Sequence, residues 1–314
     1  MGAYIIRRVL SLIPVLVLVA VVSFLLIHII PGDPAAVMLG TDATPQEIEK
    51  LREDLGLNEP LHVQFYRWIS RVLRGDLGDS FFMGRPVAVA LMERLPATIL
   101  LAVAALFFAI LIGMPAGIIA AVKQGSVIDQ LVMVIALIGV SLPSFWIGLN
   151  LILVFSVNLR WLPSGGYVPL TENFIDGLRC LLMPAFALGF MQAALIARMT
   201  RSSMLEVLRQ DYIRTARSKG LSEQVVVGLH ALKNAMIPIL TVIGTAFGVL
   251  LGGAVIVETV FAYPGIGRLV VSAVQRRDYP VIQGALLLIS AIYVLVNLLV
   301  DVLYTLIDPR IKYN

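Results

Sequence analysis

Few residues in this chain are of a type and spacing that could do covalent chemistry. The three histidines, His28, His62 and His230, share no metal-ligand spacing and read as surface or interface residues. Cys180 is the only cysteine, which excludes an intramolecular disulfide and a cysteine-based metal cluster. It reads as a packing residue. Leu162-Pro-Ser-Gly-Gly166 places a serine in a glycine-rich turn, but no Gly-x-Ser-x-Gly elbow surrounds it. There is no Gly-x-x-x-x-Gly-Lys-Ser/Thr phosphate loop and no His-Glu-x-x-His. A membrane-embedded hydrolase stays open as a minor alternative; otherwise any motor or chemistry sits on another chain.

The polar residues inside apolar stretches are the next candidates. Asp301 lies in the last apolar run, where a carboxylate costs roughly 2.5–3.5 kcal/mol on insertion scales, and Asn297 sits one turn earlier on the same face. A structural pair or interhelical hydrogen bond and a role along a substrate path both remain open for Asp301. Glu258, at the outer end of the fifth run, is equally ambiguous. An ion-coupled transporter with so little buried charge would be unusual, and no convincing inverted repeat is visible.

The elements that hold these residues follow from composition. The chain is 59% hydrophobic and 14% charged, against roughly 25% charged in soluble domains, so it reads as an all-α polytopic membrane protein. The net charge of +4 is scattered through loops rather than gathered on a stripe, which argues against nucleic acid. The run from Val9 to Ile30 is too long for a signal core and has no small-x-small cleavage site before Pro31-Gly-Asp-Pro34. Arg7-Arg8 as an export signal is therefore disfavoured, and the run is read as the first span. Further runs near 98–121, 130–157, 181–200, 236–257 and 285–307 give six spans, the third tilted or kinked at Pro143. Arg7, Arg8, Lys123, Arg201, Arg209, Arg310 and others on one side outnumber Arg160, Arg179, Arg268, Arg276 and Arg277 on the other, which places both termini in the cytoplasm.

Three segments result: an N-terminal span 1–30, an outer loop 31–97, and a five-helix core 98–314 with a cytoplasmic loop 201–235. The outer loop is read as helical. Thr44-Pro-Gln-Glu47 carries a capping box with proline at the first helical position, and Gly56 is placed to end that helix. A second helix is expected from Pro60 to Arg74 with Leu61, Phe65, Trp68, Ile69 and Val72 on one face, and a third apolar-faced piece from Pro86 to Leu95. Those faces want either the membrane surface or a neighbouring subunit. Within the core, Ala185, Gly189, Ala193 and Ala197 repeat every fourth position, as do Gly244, Gly248 and Gly252, with Gly113 and Gly117 around Pro115. Such faces allow close helix packing; a channel lined by bare backbone is the alternative.

The stretch from Asp211 to Pro238 stands apart, being polar, basic and punctuated by glycine between two apolar spans. It reads as two short helices meeting at Gly220, with Pro238 opening the next span where its missing N–H costs least. Tyr212, Ile213 and Ala216 would form a plug fitting a cleft on a partner, and Arg214, Arg217 and Lys219 would meet acidic groups at its rim.

Asp211-Tyr-Ile-Arg-Thr-Ala-Arg-Ser-Lys-Gly220 followed by Ile237-Pro238 resembles the cytoplasmic "EAA" loop of bacterial ATP-binding-cassette importer permeases. Thr215 stands where many relatives have glutamate, Ala216 keeps the alanine, and Arg217 replaces the second alanine, as is usual in the peptide-permease branch. Further matches are Pro31-Gly-Asp-Pro34, Gly75-Asp-Leu-Gly-Asp-Ser80, Met199-Thr-Arg-Ser-Ser-Met204, Phe261-Ala-Tyr-Pro-Gly-Ile-Gly-Arg268, Arg277-Asp-Tyr-Pro280 and Asp308-Pro-Arg310. The resemblance implies a type I importer permease fold in the bacterial inner membrane. It implies the first of two permease subunits carrying a dipeptide, oligopeptide or glutathione, with nickel as alternative cargo. It further implies a homologous second permease, two cytoplasmic ATPases and a periplasmic or lipid-anchored solute-binding protein. ATP and magnesium would then bind the partners and no cofactor this chain. Positions 212–217, 219, 220 and 238 would be the coupling residues.

Overall fold

The computed structural model describes the backbone of residues 2–29, 33–39 and 43–307, and the side chains there except at 2–12, 34, 54–55 and 301–307. Among the described residues the regular elements are all helices, apart from one isolated bridge between Asp79 and Pro86. Asp301, Arg310, Lys312 and the first residues of Pro31-Gly-Asp-Pro34 thus fall outside what can be described at side-chain level. The helices form two compact units, Met1–Pro96 with Arg268–Leu295 and Ala97–Gly267 with Val296–Asn314.

The first unit holds α1 (Gly2–Ile29), α2 (Pro34–Leu39), α3 (Pro45–Leu55), α4 (Leu61–Val72) and most of α12 (Ile266–Arg276), and the beginnings of α5 (Val87–Val122) and α13 (Tyr279–Ile307). The capping box at α3 forms as the sequence dictates: Thr44 Oγ1 accepts from the Glu47 N–H, and the Glu47 carboxylate accepts from the Thr44 N–H at 2.8 Å. The Thr44 N–H and then the Thr44 hydroxyl, both donating to the carboxylate, hold the Glu47 carboxyl below its usual range. Gly56 ends the helix in the left-handed region at φ 68°. On the apolar face of α4, Phe65 and Trp68 stack on Phe24 of α1, with ring centroids 5.3 and 5.8 Å away, while Leu61 on the same face stays exposed. The loop after α4 is locked to the start of α13. Ser80 Oγ donates to the buried Asp278 carboxylate at 2.5 Å, and the Phe81 N–H donates to its other oxygen. Two separate sequence motifs therefore meet around one carboxylate.

The second unit is arranged around α8 (Phe174–Leu208). In its most apolar window 67% of residues are buried, against 33% in α5 and in the helix ending at Val260. The reason is its small-residue face. Gly113 and Gly117 of α5 lie against the carbonyls of Ala193 and Ala197, and Gly189 lies against the carbonyl of Ala105, so closely that a Cβ at any of the three would overlap an oxygen. Gly139 of α6 (Val127–Ser141) packs on Ala194 and Phe190. In lipid, helices gain little from burying apolar area against each other and associate by close packing, so these contacts position α8. α6 and α7 (Ser144–Leu151, continued by a π-helical stretch Ile152–Asn158) meet at Leu142-Pro143 with a bend of 102°. The expected kink at Pro143 is a break. Four described helices are long and apolar enough to cross a membrane, five when the bent pair is counted as one span; α1 is apolar along Ile13–Ile29.

Replacing Gly113 by alanine is expected to lower the unfolding stability of the detergent-solubilised chain by about 1–3 kcal/mol, the range for overpacking. Alanine at Gly252, where an added Cβ meets nothing within 4 Å, should change it far less. Denaturant titration of both variants checks the difference.

Candidate functional site

The stretch singled out by sequence folds as an elbow. Helix α9 (Asp211–Ser218) ends at Gly220, whose φ of 79° is the left-handed conformation that the turn requires. Helix α10 (Glu223–Val225) follows and runs through a π-helical turn (Val226–Ala231) into α11 (Leu232–Val260). Pro238 therefore lies inside the helix rather than at its first turn. The extended backbone of Ser222 starts the helix early. The Asn234 carbonyl consequently has no N–H four residues on.

Amphipathic α9 turns its apolar side inward. Ile213 is fully buried and Ala216 nearly so, in a cluster with Met204 of α8, Ala121 of α5, and Val226, Ala231, Ala235 and Ile239 of the following helix. They are not the outward plug surface that the sequence suggested. The outward side carries Tyr212, Arg214, Thr215 and Lys219. The Tyr212 hydroxyl accepts from Asn234 Nδ2 at 3.0 Å, and Arg214 pairs loosely with Asp211 at 3.5 Å. Arg217 is committed within the chain: its guanidinium donates to both oxygens of Glu223, at 3.1 and 2.6 Å, stapling α9 to the next helix across Gly220. Magnitudes rank these contacts. Burying an isoleucine is worth about 1.5–3 kcal/mol, whereas an exposed ion pair contributes roughly 0.2–1 kcal/mol. The apolar cluster, not the staple, fixes the elbow to α8.

One turn before Met204, Arg201 reaches the N-terminal turn of α6. Its Nε and Nη2 donate to the two oxygens of Asp129, at 2.5 and 2.7 Å, and Asp129 also accepts from the Gly125 N–H. Asp129 is 3% exposed. This bidentate clamp joins the elbow end of α8 to the bent pair α6–α7. Sequence reading placed Arg201 among loop cations and did not single out Asp129. The hint was a carboxylate in the first turn of a helix capped by Ser126, whose hydroxyl accepts from the Asp129 N–H.

The remaining candidates separate. Glu258 is fully buried under the turn 261–268. Thr98 Oγ1 donates to Glu258 Oε1 at 2.7 Å and accepts from the Ile266 N–H at 2.8 Å. Gly265 and Gly267 lie so near that a Cβ at either would crowd the carboxylate. Glu258 thus organises a turn and does not face open space. In the same turn, burial beside Tyr167 pushes the Tyr263 phenol up. Asn297 is half-buried on α13, and the Asp301 side chain lies outside the described residues. Gly189 and Ala193 pack as described. Gly244 abuts Val300, Gly248 is half-buried, and Gly252 is exposed with nothing nearby. Gly252 belongs to an open face of α11 with Ile237, Thr241, Thr245, Val249 and Ile256. Thr241 and Thr245 donate to carbonyls one turn back, so this face carries hydroxyls without charge.

The chain belongs to the binding-protein-dependent transport system inner membrane component family, whose profile matches residues 113–313, with the N-terminal region of the same system matched over residues 1–104. It is a multi-pass membrane permease subunit. It is 48% identical over 314 residues to a putative peptide transport system permease protein of Brucella abortus (strain 2308), with both chains fully covered. It is 48% identical over 333 residues to the dipeptide transport system permease protein of Alkalihalophilus pseudofirmus, again covering both chains. A glutathione transport system permease protein of Escherichia coli O6:H1 is 48% identical over 311 residues, 99% of each chain. Among solved structures, the inward-facing MetNI methionine ABC transporter superposes with a TM-score of 0.59 at 21% identity, covering 72% of this chain and all of that one. That likeness shows the fold.

Asp129→Asn should cost about 3–5 kcal/mol, the range for breaking a buried pair from one side, and Asp129→Asn/Arg201→Met should recover part of it. Unfolding of the solubilised variants measures both, and equal stability of the single variant and wild type would contradict the clamp.

Proposed function

We propose that this chain is one of two permease subunits of an importer for peptides or peptide-like solutes, driven by ATP hydrolysis on separate subunits. A homologous permease completes the translocation path, two ATPases dock on the elbow, and an extracytoplasmic binding protein delivers the solute. Both termini and the elbow lie in the cytoplasm. The chain itself does no covalent chemistry, and ATP with magnesium belongs to the partners. The peptide class is supported by the full-length relatives, which are named as peptide, dipeptide and glutathione transport permeases.

The observation carrying the coupling role is that Ile213 and Ala216 bury the elbow against the foot of α8 while Tyr212, Arg214, Thr215 and Lys219 stay open. A partner gripping the open side therefore moves the foot of α8, and through Arg201–Asp129 the foot of α6. Closure of the ATPase pair must favour one arrangement of the permeases, by about 5.5 kcal/mol for a nearly complete switch. The open α11 face around Thr241, Thr245 and Gly252 faces the path. Its hydroxyls offer a solute polar contacts without a fixed charge to hold it.

Gly220→Trp forces a bulky residue into left-handed backbone and places its ring on the elbow's open side. Membrane insertion should persist, while ATP-dependent uptake in vesicles with partner subunits should fall about tenfold or more, equivalent to at least roughly 1.4 kcal/mol of coupling. Normal uptake by that variant would remove the elbow from the mechanism. Gly252→Trp should fold and bind the ATPases, with their ATP hydrolysis retained, yet transport little solute; undiminished uptake would take this face off the path.

A further inference from the structure

The first unit contains a cavity of about 880 Å³ between the last turns of α1, helix α4 and the loop that follows. One wall is apolar and aromatic, made by Phe24, Ile27, Trp68 and Leu77. Another is basic: Arg67, Arg71 and Arg74 line it at intervals of four and three residues, which places them on one side of α4 and its continuation. Arg67 is held by Glu59 at 2.8 Å. Arg71 and Arg74 are exposed and make no ion pair among the described residues. Asp76 and Asp79 form a third wall. The Asp76 carboxylate accepts from the Gly78 N–H at 2.9 Å, and the Asp79 side chain has no partner among the described residues. No element of the elbow, the clamp or the α11 face contributes to this cavity.

We propose that this cavity holds the headgroup of a membrane phospholipid bearing both a phosphate and an ammonium group. Guanidinium forks bind phosphate oxygens bidentately, and two arginines without carboxylate partners supply that geometry. The free Asp79 carboxylate answers the ammonium. Position selects a lipid over a soluble zwitterion. The cavity is lined by the last turns of apolar helix α1 together with Tyr66 and Trp68, residue types that settle at headgroup level. Below it α1 exposes Val17, Leu18, Val22 and Leu25, a surface along which an acyl chain runs. A free dipeptide would meet the charged walls and leave the apolar one wet; an amphiphile meets both. Basic hollows beside membrane helices are known to take lipid headgroups, and the volume is within the range of ligand cavities. The lipid would bridge α4 and α1, reinforcing the contact made by Phe24, Phe65 and Trp68.

The test uses the full-length chain in nanodiscs with Trp146 and Trp161 replaced by phenylalanine, leaving Trp68 as the sole tryptophan reporter. Phosphatidylethanolamine brominated near the glycerol, added at low mole fraction to a phosphatidylcholine bilayer, is expected to quench Trp68. Arg71→Ala/Arg74→Ala should require roughly tenfold more brominated lipid for half-quenching. Asp79→Asn should abolish the preference for phosphatidylethanolamine over equally brominated phosphatidylglycerol. Both substitutions alter exposed side chains, and an unchanged thermal unfolding profile shows that the fold is retained. Equal quenching of wild type and the arginine double variant would overturn the proposal. So would competition by soluble phosphoethanolamine or dialanine at concentrations that displace the lipid, since either would identify the ligand as a free solute.

Discussion

Backbone contact along α8 is the constraint on which the second unit depends. In water, apolar faces would drive these helices together. Between acyl chains that force is weak and association rests on how closely two backbones approach. Gly113, Gly117 and Gly189 bring α5 and α8 to carbonyl contact, and Gly139 brings in α6. The same closeness makes α8 rigidly held along its length and suits it to carry a displacement from one end. What lies at that end is the elbow, attached through Met204, Ile213 and Ala216, and one turn away the Asp129–Arg201 clamp. Movement entering at the elbow thus has two exits, an apolar one into α8 and α11 and a charged one into α6.

The elbow also explains the separation of labour on its short helix. Eight residues of α9 give one face to the chain's own core and the other to the outside. The buried Ile213 carries more energy than the exposed Arg217–Glu223 staple, so the elbow remains seated on α8 when an outside contact forms or breaks. The staple instead keeps the angle across Gly220 from opening. Pro238, within the helix that follows, and the π-helical turn before it interrupt regular hydrogen bonding where the elbow passes into the membrane-length segment.

Local chemistry was legible in the sequence, and long-range pairing was not. Thr44 and Glu47 announce a cap, Gly56 and Gly220 announce left-handed turns, and Pro143 announces a kink, because each acts within four residues. The every-fourth-position faces of Gly189 and Ala193 announced close packing for the same reason. Which side of α9 faces its own chain could not be read, since an amphipathic helix shows two faces without naming the neighbour of either. Asp129 and Arg201 are 72 residues apart, and neither carries a local mark of the other. Glu258 misled because a carboxylate at a span end looks available. Its partner Thr98 and the close glycines of the 261–268 turn only become visible in three dimensions. The α4 face likewise carried no local mark that Phe65 and Trp68 would meet Phe24 of α1.

The most direct test of the central claim is a distance. Spin labels on Thr215, on the open side of the elbow, and on exposed Val127, beside the clamp, report by pulsed dipolar spectroscopy whether elbow and α6 travel together. In the assembled transporter, adding a non-hydrolysable ATP analogue should leave this distance unchanged, while the distance from Thr215 to a label on an ATPase subunit changes. If the Thr215–Val127 distance changes on nucleotide binding, the elbow swings independently of the α8 foot, and the account fails.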